Sequence, residues 1–369
     1  MQDIPFLSLS AQHNLIRREL DAGFQKVVDG GRFILAEEVA SFEKEYAAYS
    51  GVRHCISVAN GLDALYISLS ALGVGPGDEV IVPAFTCAPT WMAVSKTGAR
   101  LVPVDADTAT FNIDVGKISG AVTSKTKAIV PVNLYGTPAD LPAIVELAAS
   151  EEIFVVEDNA QAHGAMIGSQ KTGSFGVING TSFYPTKNLG ALGDGGAITT
   201  DDPVLADKAA QLRNYGSSAR FVHEIVGINS RLDELQAVML RIKLRFIDRW
   251  NAERSVLAAG YLERLRGIGD LVIPSSEKNV QRAWHLFVVC TARRNLLQLY
   301  LQRKGIGTDI HYPIPPHLQK AYAHLGYRKG DFPVSEKIGD TVLSLPLWPG
   351  MSEAQLEYVT EAVRTFYKS

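Results

Sequence analysis

Short β-branched runs alternate with longer amphipathic segments between about residues 54 and 200, and this alternation is the strongest constraint on the fold. After residue 61, leucines recur at spacings of three and four, which is typical of one face of a helix. Nearly continuous apolar strands separated by helices predict a mostly parallel sheet that is covered on both faces, and therefore an α/β fold. The runs are HCISVAN (54–60), EVIVPAF (79–85), RLVPVDA (100–106), KAIVPVNLYG (127–136) and EIFVVED (152–158).

The pattern changes after about residue 205. A proline-free helical pattern from Leu232 to Leu265 predicts one long helix that links two domains. We place a domain boundary near residue 250, with residues 1–249 as a large domain and residues 250–369 as a small C-terminal one. The elements predicted for the small domain are a strand at WHLFVVCT (284–291), a helix at 293–304, and a final helix opened by a capping box at Ser352 and Gln355.

The charge balance narrows the functional classes. The 369 residues include 36 Lys plus Arg and 39 Asp plus Glu, so the formal net charge is −3. Proteins that bind the nucleic-acid backbone normally carry a strong cationic excess, so we expect no nucleic-acid partner. Hydrophobic residues make up 46% of the chain and charged residues 20%, which suits a large core and argues against disorder.

Cysteine usage and the apolar runs bear on location and metals. Cys55, Cys87 and Cys290 are odd in number and widely separated, which supports neither a disulfide framework nor a zinc site of the CxxC type. The start of the chain lacks the pattern of a signal peptide, and no run approaches the roughly 18 apolar residues of a membrane helix. We therefore expect a cytoplasmic protein without a bound metal or a membrane partner.

Two side chains are candidates for chemistry. Asp158 directly follows the strand IFVV, and ligands of open α/β sheets bind beyond the carboxyl ends of the strands. An aspartate that caps a following helix is an equally good interpretation of that residue alone. Lys187 lies among small and aromatic residues beside glycine clusters, where desolvation would lower the pKa of its amine and make it nucleophilic. An isolated lysine is more often simply exposed.

Glycines suggest a phosphate site at one place and exclude a nucleotide motif at another. The stretch Asn60-Gly61-Leu62 follows a strand and opens an amphipathic helix, so N–H groups and the positive end of the helix dipole would face an anion such as a phosphate. Many strand-to-helix turns of this kind bind nothing. The cluster Gly193-Asp194-Gly195-Gly196 leads into the strand-like AITT, not into a helix, so we reject a dinucleotide-binding fingerprint there.

Two further segments hold groups suited to a polar or anionic ligand. Arg213, Arg220 and Arg231 lie among glycine, serine and aromatic residues, and arginine binds phosphates with bidentate geometry. Ordinary surface ion pairs explain these arginines equally well. A proline-rich stretch follows His311 and Tyr312, and it would either hold both side chains ready for a ligand or form a rigid connection only.

Taken together and in this order, the motifs resemble those of the DegT-type nucleotide-sugar aminotransferases, which are pyridoxal phosphate enzymes of the aspartate aminotransferase fold (fold type I). The resemblance covers nearly the whole chain. It implies a large domain with a mixed, mostly parallel sheet and a smaller C-terminal α+β domain, on which the N-terminal segment could also pack. The motifs are NGLDAL (60–65), PAFT (83–86), EDNAQAHG (157–164), SFYPTKNLG (182–190) and NSRLDELQA (229–237).

The resemblance also implies the roles of individual residues. Lys187 would hold pyridoxal phosphate and carry a proton between the substrate carbon and the 4′ carbon of the cofactor, while Asp158 would pair with the pyridine nitrogen. The other cofactor contacts would be Gln161 near the phenolic oxygen, Phe85 on the ring face, and Gly61, Leu62, Ser182 and Asn229 at the phosphate. The candidates for substrate contacts are Tyr184, Arg213, Tyr215, Arg220, Arg231, His311 and Tyr312.

Partners and substrates follow from the same resemblance. Asn229 would reach the phosphate from a second subunit, which implies a homodimer with shared active sites. In the family, usually L-glutamate converts the cofactor to pyridoxamine phosphate, which then aminates a nucleotide-linked keto-sugar in a ping-pong mechanism. The motifs are closest to the subgroup that aminates carbon 3 of a dTDP-3-keto-6-deoxyhexose. Members acting on carbon 4 more often have histidine at the position of Gln161, and related sugar dehydratases have histidine in place of Lys187.

Two alternatives remain from the sequence. One is an aminotransferase that acts on carbon 4 of the sugar. The other is a non-catalytic regulatory module that binds pyridoxal phosphate, which would be expected to carry an additional DNA-binding or effector domain.

Overall fold

A computed structural model describes residues 3–275 and 279–368 of the chain. The strands are β1 (His54–Val58), β2 (Glu79–Pro83), β3 (Arg100–Val104), β4 (Thr126–Ile129), β5 (Phe154–Asp158), β6 (Met166–Ile167), β7 (Gln170–Lys171), β8 (Ile178–Ser182), β9 (Gly196–Thr200), β10 (Ser217–Ala219), β11 (Val222–His223), β12 (Val280–Gln281), β13 (Phe287–Cys290) and β14 (Val342–Leu345). The α-helices are α1 (Ser10–Leu15), α2 (Arg17–Gly30), α3 (Glu37–Ser50), α4 (Gly61–Ala71), α5 (Ala88–Thr97), α6 (Val115–Ile118), α7 (Leu141–Ser150), α8 (Pro203–Leu212), α9 (Glu234–Leu244), α10 (Ile247–Leu265), α11 (Arg294–Arg303), α12 (Pro333–Thr341) and α13 (Glu353–Lys368).

The central sheet has the strand order β1-β9-β8-β5-β4-β2-β3. Strands β3, β2, β4, β5 and β8 pair in parallel, whereas β9 is antiparallel to both β8 and β1. Parallel pairs need long crossover connections, and helices such as α4, α5 and α7 supply them. The sheet confirms the predicted α/β fold with a mixed, mostly parallel sheet.

Burial on both faces explains why the strands are so apolar. Val80 and Val82 are fully buried on one face of the sheet, where they pack in a core with Trp91 of α5. Ile81 and Ile129 are fully buried in a second cluster that includes residues of α7. Full burial of a side chain of this size stabilises the fold by about 1.5–3 kcal/mol. Alternate residues of one strand therefore pack against helices on opposite faces of the sheet. This packing holds the strand ends in place at the edge of the sheet.

A separate core lies in the C-terminal part of the chain. Helices α10, α11 and α13 enclose the antiparallel pair β13-β14, and Tyr261 stacks on Phe287 with the ring centroids 4.6 Å apart. Ile4 is buried in this core, and its N–H donates a hydrogen bond to the Gly305 carbonyl at 2.8 Å. The N-terminal segment is thus attached to the C-terminal part. The domain boundary near residue 250 falls inside α10 and stays a prediction.

The single helix predicted from Leu232 to Leu265 is wrong, because the chain forms two helices there, α9 and α10. Past the end of α9, the Phe246 N–H donates to the Lys243 carbonyl at 2.9 Å, and α10 then begins with the Trp250 N–H on the Phe246 carbonyl at 3.0 Å. The break contains neither proline nor glycine, so no local signal marks it. It lets α9 pack on α2 and α3 while α10 continues into the C-terminal core.

The predicted end of the chain agrees with the structure. The capping box is formed, since the Ser352 N–H donates to Gln355 Oε1 at 2.9 Å and the Gln355 N–H donates to Ser352 Oγ at 3.2 Å. Strand β13 and helix α11 lie within the segments predicted for them. Among the described residues, no helix is both long enough and apolar enough to span a bilayer.

Candidate active site

One cavity of 590 Å³ lies where β1, β2, β5 and β8 end at the same edge of the sheet. A groove of 770 Å³ elsewhere is mostly apolar, and in another of 780 Å³ the charge of Arg241 is already paired with Glu38 and Glu45. Of the predicted site residues, the cavity brings together Gly61, Leu62, Asp158, Gln161, Ser182, Tyr184, Lys187, His311 and Tyr312.

Asp158 is the last residue of β5 and is buried. Its Oδ2 accepts a hydrogen bond from Thr90 Oγ1 at 2.8 Å, and its Oδ1 accepts one from the Ala160 N–H at 3.1 Å. Burial raises the pKa of this carboxyl, whereas the two hydrogen bonds and the charge of Lys187 oppose the increase. A turn and not a helix follows Asp158, so the interpretation as a helix cap is wrong.

Lys187 lies in the loop between β8 and β9 and lines the same cavity. Burial lowers the pKa of its amine, and the neighbouring Cys87 and Asp158 oppose that decrease. A lowered pKa increases the fraction of neutral amine, which is the nucleophilic form. The structure therefore places an amine suited to attack a carbonyl group near a buried carboxylate.

Buried side chains hold the backbone that follows Lys187. Asn188 Nδ2 donates to Asn251 Oδ1 at 2.8 Å and to the Ala283 carbonyl at 2.7 Å. Lys243 Nζ donates to the Gly190 carbonyl at 2.6 Å, and burial lowers the pKa of Lys243 to about 8. Because these partners come from α9, α10 and the segment before β13, the position of the lysine loop depends on distant parts of the chain.

Helix α4 begins at the cavity and provides a site for an anion. Asn60 caps the helix, since its Oδ1 accepts a hydrogen bond from the Asp63 N–H at 2.8 Å. The N–H groups of Gly61 and Leu62 lie in the first turn, where an α-helix offers them no internal partner. A Cβ atom on residue 61 would lie 2.6 Å from the Cβ of Ser182, so glycine is required for β8 and α4 to approach this closely.

Gln161 links the cavity to the C-terminal part of the chain. Its Oε1 accepts a hydrogen bond from the Tyr135 N–H at 2.7 Å, and its Nε2 donates to the Tyr312 hydroxyl at 2.9 Å. The Tyr135 hydroxyl donates to the His311 carbonyl, and His311 Nδ1 shares a hydrogen bond of 2.9 Å with Ser344 Oγ. The predicted pair His311 and Tyr312 is therefore held at the cavity wall by both parts of the molecule.

Phe85 does not reach the cavity. Its side chain is 1% exposed and packs in a cluster that includes Leu134 and Val288. The residues that follow it, Thr86 and Cys87, line the cavity. The expectation that Phe85 covers the face of a bound ring is therefore wrong, because the strand end directs this side chain into the core.

The predicted arginine cluster is separate from the cavity. The Arg213 guanidinium donates to the Glu43 carboxylate and to the Ser57 carbonyl, the latter at 2.7 Å. This ion pair is largely buried, so Arg213 serves the protein interior and not a ligand. Arg231 lies over the ring of Tyr215 with its guanidinium carbon 5.3 Å from the ring centroid, and neither residue lines the cavity.

Arg220 and Asn229 also lie outside the cavity of this chain. Arg220 lies between β10 and β11, and its guanidinium carbon is 5.0 Å from the centroid of the exposed Phe221 ring. Asn229 is exposed and forms a backbone bridge with Asn214. Neither residue is among those that line the cavity.

Thr90 and His285 line the cavity but were not predicted from the sequence. Thr90 lies in the first turn of α5, just beyond the end of β2, and the rule that ligands bind at the ends of strands was a signal for it. His285 contacts Asn188 although it follows that residue by 97 positions, and no local pattern marks it.

These groups suit an organic cofactor that carries a phosphate. A buried carboxylate, a lysine of lowered pKa and a helix start face one space, at Asp158, Lys187 and Gly61. Within residues 3–275 and 279–368, no cluster of three or more His, Cys, Asp or Glu side chains could hold a metal ion.

The fold and this combination of groups define an aminotransferase of fold type I. The chain belongs to the DegT/DnrJ/EryC1/StrS aminotransferase family, whose profile matches residues 14–364. It is 46% identical over 361 residues to the dTDP-3-amino-3,4,6-trideoxy-alpha-D-glucose transaminase of Streptomyces venezuelae, covering 98% of this chain and 95% of that protein.

Solved structures of similar proteins agree over the whole chain. The structure of S. venezuelae DesV in complex with a ketimine intermediate matches with a TM-score of 0.98 and 45% identity, covering 100% of both chains. The structure of NtdA from Bacillus subtilis with bound cofactor PMP matches with a TM-score of 0.93 and 31% identity, covering 100% of this chain and 86% of that one.

Proposed function

We propose that this aminotransferase moves the amino group of L-glutamate to carbon 3 of a dTDP-3-keto-6-deoxyhexose, with pyridoxal phosphate as its cofactor. The observation that carries the proposal is the meeting of Asp158 and Lys187 in one cavity beside the start of α4. The name of the Streptomyces venezuelae transaminase supports an amino group at carbon 3 and a dTDP carrier.

The residues of the cavity fit the proposed cofactor. When bound, pyridoxal phosphate supplies an aldehyde that condenses with amines and a ring that takes up electrons as a C–H bond breaks. Gly61 and Leu62 would bind its phosphate through their N–H groups, with the Ser182 hydroxyl beside them. Asp158 would hold a proton on the ring nitrogen, which gives this buried carboxylate a positively charged partner.

Lys187 would both hold the cofactor and move the proton. Burial favours the neutral form of its amine, so Nζ can attack an aldehyde and later accept a proton from the substrate carbon. Gln161 is held by Tyr135 and Tyr312, which would fix its amide beside the bound ring. We assign Thr90 to positioning, since its hydroxyl orients the carboxylate of Asp158.

We further propose a homodimer in which Asn229 of one subunit contacts the phosphate bound by the other. Asn229 is exposed and does not line the cavity of its own chain. Large apolar side chains are exposed as well, with Phe33 at 46%, Phe221 at 82% and Val226 at 96%. Burial of such groups against a second copy would stabilise the dimer.

Replacement of Lys187 by alanine tests the cofactor assignment. The variant should lose turnover and should form no covalent adduct at position 187 when borohydride is added with pyridoxal phosphate, while its circular dichroism stays unchanged. Lys44 is exposed, and Lys44→Ala is the matched control that should keep both properties. Normal turnover in Lys187→Ala would overturn the assignment.

A regiochemical assay tests the substrate. The protein and L-glutamate are incubated separately with dTDP-linked 3-keto and 4-keto sugars and with a UDP-linked 3-keto sugar, and NMR locates the new amine. We expect amination of the dTDP-linked 3-keto sugar. Preferred amination at carbon 4 would support the carbon-4 alternative, preference for the UDP-linked sugar would replace the nucleotide, and no amino transfer to any sugar would favour a regulatory module.

A further inference from the structure

His285 lies in the wall between two cavities. One is the 590 Å³ cavity that contains Lys187, and the other is a neighbouring cavity of 460 Å³. The second cavity is lined partly by apolar side chains, including Leu286 and Leu345, and partly by polar ones such as Asp309. His285 shares this position with Tyr184, Thr186 and His311, so a ligand that reaches from Lys187 toward the second cavity would lie against this group of residues.

The backbone of His285 is fixed by close packing. A Cβ atom on residue 136 would lie 2.7 Å from the backbone nitrogen of His285, and φ of Gly136 is +87°. Glycine is therefore needed at position 136. Next to it, the Ala283 N–H donates to the Gly136 carbonyl at 2.9 Å. The Arg254 guanidinium donates to the His285 carbonyl at 3.2 Å. These contacts hold the backbone of residue 285, and the hydrogen bond of 3.2 Å between Nδ1 and Asn188 Oδ1 orients the ring.

The hydrogen bonds of Asn188 determine which ring nitrogen carries the proton. The Asn188 amide nitrogen donates to Asn251 Oδ1 and to the Ala283 carbonyl, so its other atom must be the oxygen. That oxygen lies 3.2 Å from His285 Nδ1 and can only accept. Nδ1 therefore carries the hydrogen in the neutral ring, and Nε2 carries the lone pair.

The imidazole ring of His285 is neutral at the near-neutral and alkaline pH at which a neutral amine can act as a nucleophile. Burial lowers the pKa of His285 well below its usual value, and the basic groups of Lys187 and Arg254 nearby lower it further. Nε2 makes no hydrogen bond within the part of the chain that the structure describes. A lone pair at the wall of the cavity is thus available to a ligand that can donate a hydrogen bond.

We propose that Nε2 of His285 accepts a hydrogen bond from a hydroxyl group of the sugar and so favours the keto-sugar over carboxylate ligands in the second half-reaction. This inference rests on the proposed function. A hydroxyl donates to such an acceptor, whereas the carboxylate oxygens of L-glutamate have no proton to donate and are repelled by the lone pair. The apolar side chains of the second cavity suit the deoxygenated carbon of the hexose.

Two substitutions separate this role from a purely structural one. His285→Asn keeps a donor near the position of Nδ1, which preserves the bond to Asn188, but it removes the acceptor at Nε2. His285→Gln places an amide oxygen near the position of Nε2 but loses the donor to Asn188. If Nε2 contacts the sugar, His285→Asn should lose more affinity for the sugar nucleotide than His285→Gln. If His285 has only a structural role, His285→Gln should lose more.

Binding is measured by calorimetry with dTDP-glucose and with dTDP alone, on protein loaded with the cofactor. We expect His285→Asn to weaken dTDP-glucose binding by about 10- to 100-fold and dTDP binding by less than about twofold, because only the sugar contact is lost. His285→Gln should retain more of the affinity for dTDP-glucose. Equal losses for dTDP and dTDP-glucose, or a larger loss in His285→Gln, would overturn the inference.

The two half-reactions are then followed by the absorbance of the cofactor. In His285→Asn, the keto-sugar half-reaction should slow by at least about tenfold more than the half-reaction with L-glutamate. Equal slowing of both would overturn the inference. If the wild-type protein reacts with L-glutamate but aminates no keto-sugar, the proposed function fails. If the wild type aminates the sugar and the variant does so equally well, only the role of His285 fails.

Discussion

Replacement of Thr90 by valine would remove a hydrogen bond from the buried carboxylate that we assign to the cofactor nitrogen. The Thr90 hydroxyl is 2.8 Å from Asp158 Oδ2 and 3.0 Å from the hydroxyl of Thr86. Thr90 is 1% exposed, so water cannot easily take the place of the lost donor. Valine is also branched at Cβ and carries a methyl group in place of the hydroxyl, so the substitution removes the hydrogen bond and keeps the branched shape of the side chain.

The expected magnitude follows from the charge of the acceptor. A hydrogen bond to an ionised group contributes about 1.5–3 kcal/mol, and each 1.4 kcal/mol changes an equilibrium constant about tenfold. The Thr90 donor also lowers the pKa of Asp158 against the effect of burial, so its loss raises that pKa further. Because the ionised carboxylate is the form that binds a protonated ring nitrogen, affinity for pyridoxal phosphate should fall by about 10- to 100-fold at pH values below the raised pKa.

Titration of the cofactor-free protein with pyridoxal phosphate at several pH values measures this effect. The protonated fraction of the Asp158 carboxyl increases as the pH falls through its pKa. Because that pKa is higher in Thr90→Val, the loss of affinity for pyridoxal phosphate should begin at a higher pH than in the wild type. Thr90→Ser keeps the hydroxyl and is the matched control. Equal affinity of Thr90→Val and the wild type from about pH 6 to about pH 9 would refute the role of this hydrogen bond.

Three other predictions concern the anion site, the dimer and a buried lysine. Gly61→Ala should weaken pyridoxal phosphate binding by at least about tenfold in a fluorescence titration, because its Cβ would lie 2.6 Å from the Cβ of Ser182, and unchanged binding would contradict the phosphate site. Lys187→Ala and Asn229→Ala should each be inactive alone, but a mixture of the two should recover about 25% of the wild-type activity. Half of the dimers in the mixture contain one subunit of each variant, and each of these dimers has one intact site. If each site belonged to one chain, the mixture would recover no activity. Burial lowers the pKa of Lys243 from 10.5 to about 8, so between these pH values the unfolded chain binds more protons than the folded one. The free energy of unfolding should therefore rise with pH in this range, by up to about 3 kcal/mol relative to Lys243→Met, as measured by urea unfolding. A constant difference between wild type and Lys243→Met across that window would contradict the buried charge.

Much of the fold was predictable because the signals are local. The β-branched runs that contain Val80 and Val156 form strands of the sheet, and the capping box at Ser352 forms as predicted. Burial on both faces imposes an apolar composition on parallel strands, so their sequence alone reveals them. The family was also predictable, because its motifs occur at the ends of these strands.

The predictions of site residues were wrong where a side chain contacts residues that are distant in sequence. Arg213 is paired with Glu43, which precedes it by 170 positions, and no pattern near Arg213 shows that its charge is already matched. Phe85 and Cys87 are two positions apart, yet the first is in the core and the second lines the cavity, because the direction of each side chain depends on how the strand end curves.

Neighbouring residues alone were enough to predict a mostly parallel α/β sheet and membership of an aminotransferase family, because hydrophobic periodicity and contiguous motifs are local properties. The break of the helical pattern at Arg245 and Phe246, the support of Asp158 by Thr90 and the contact of His285 with Asn188 became visible only in the folded chain. Those outcomes depend on burial and on hydrogen bonds between segments far apart in the chain, which form only when the sheet and the C-terminal core pack together.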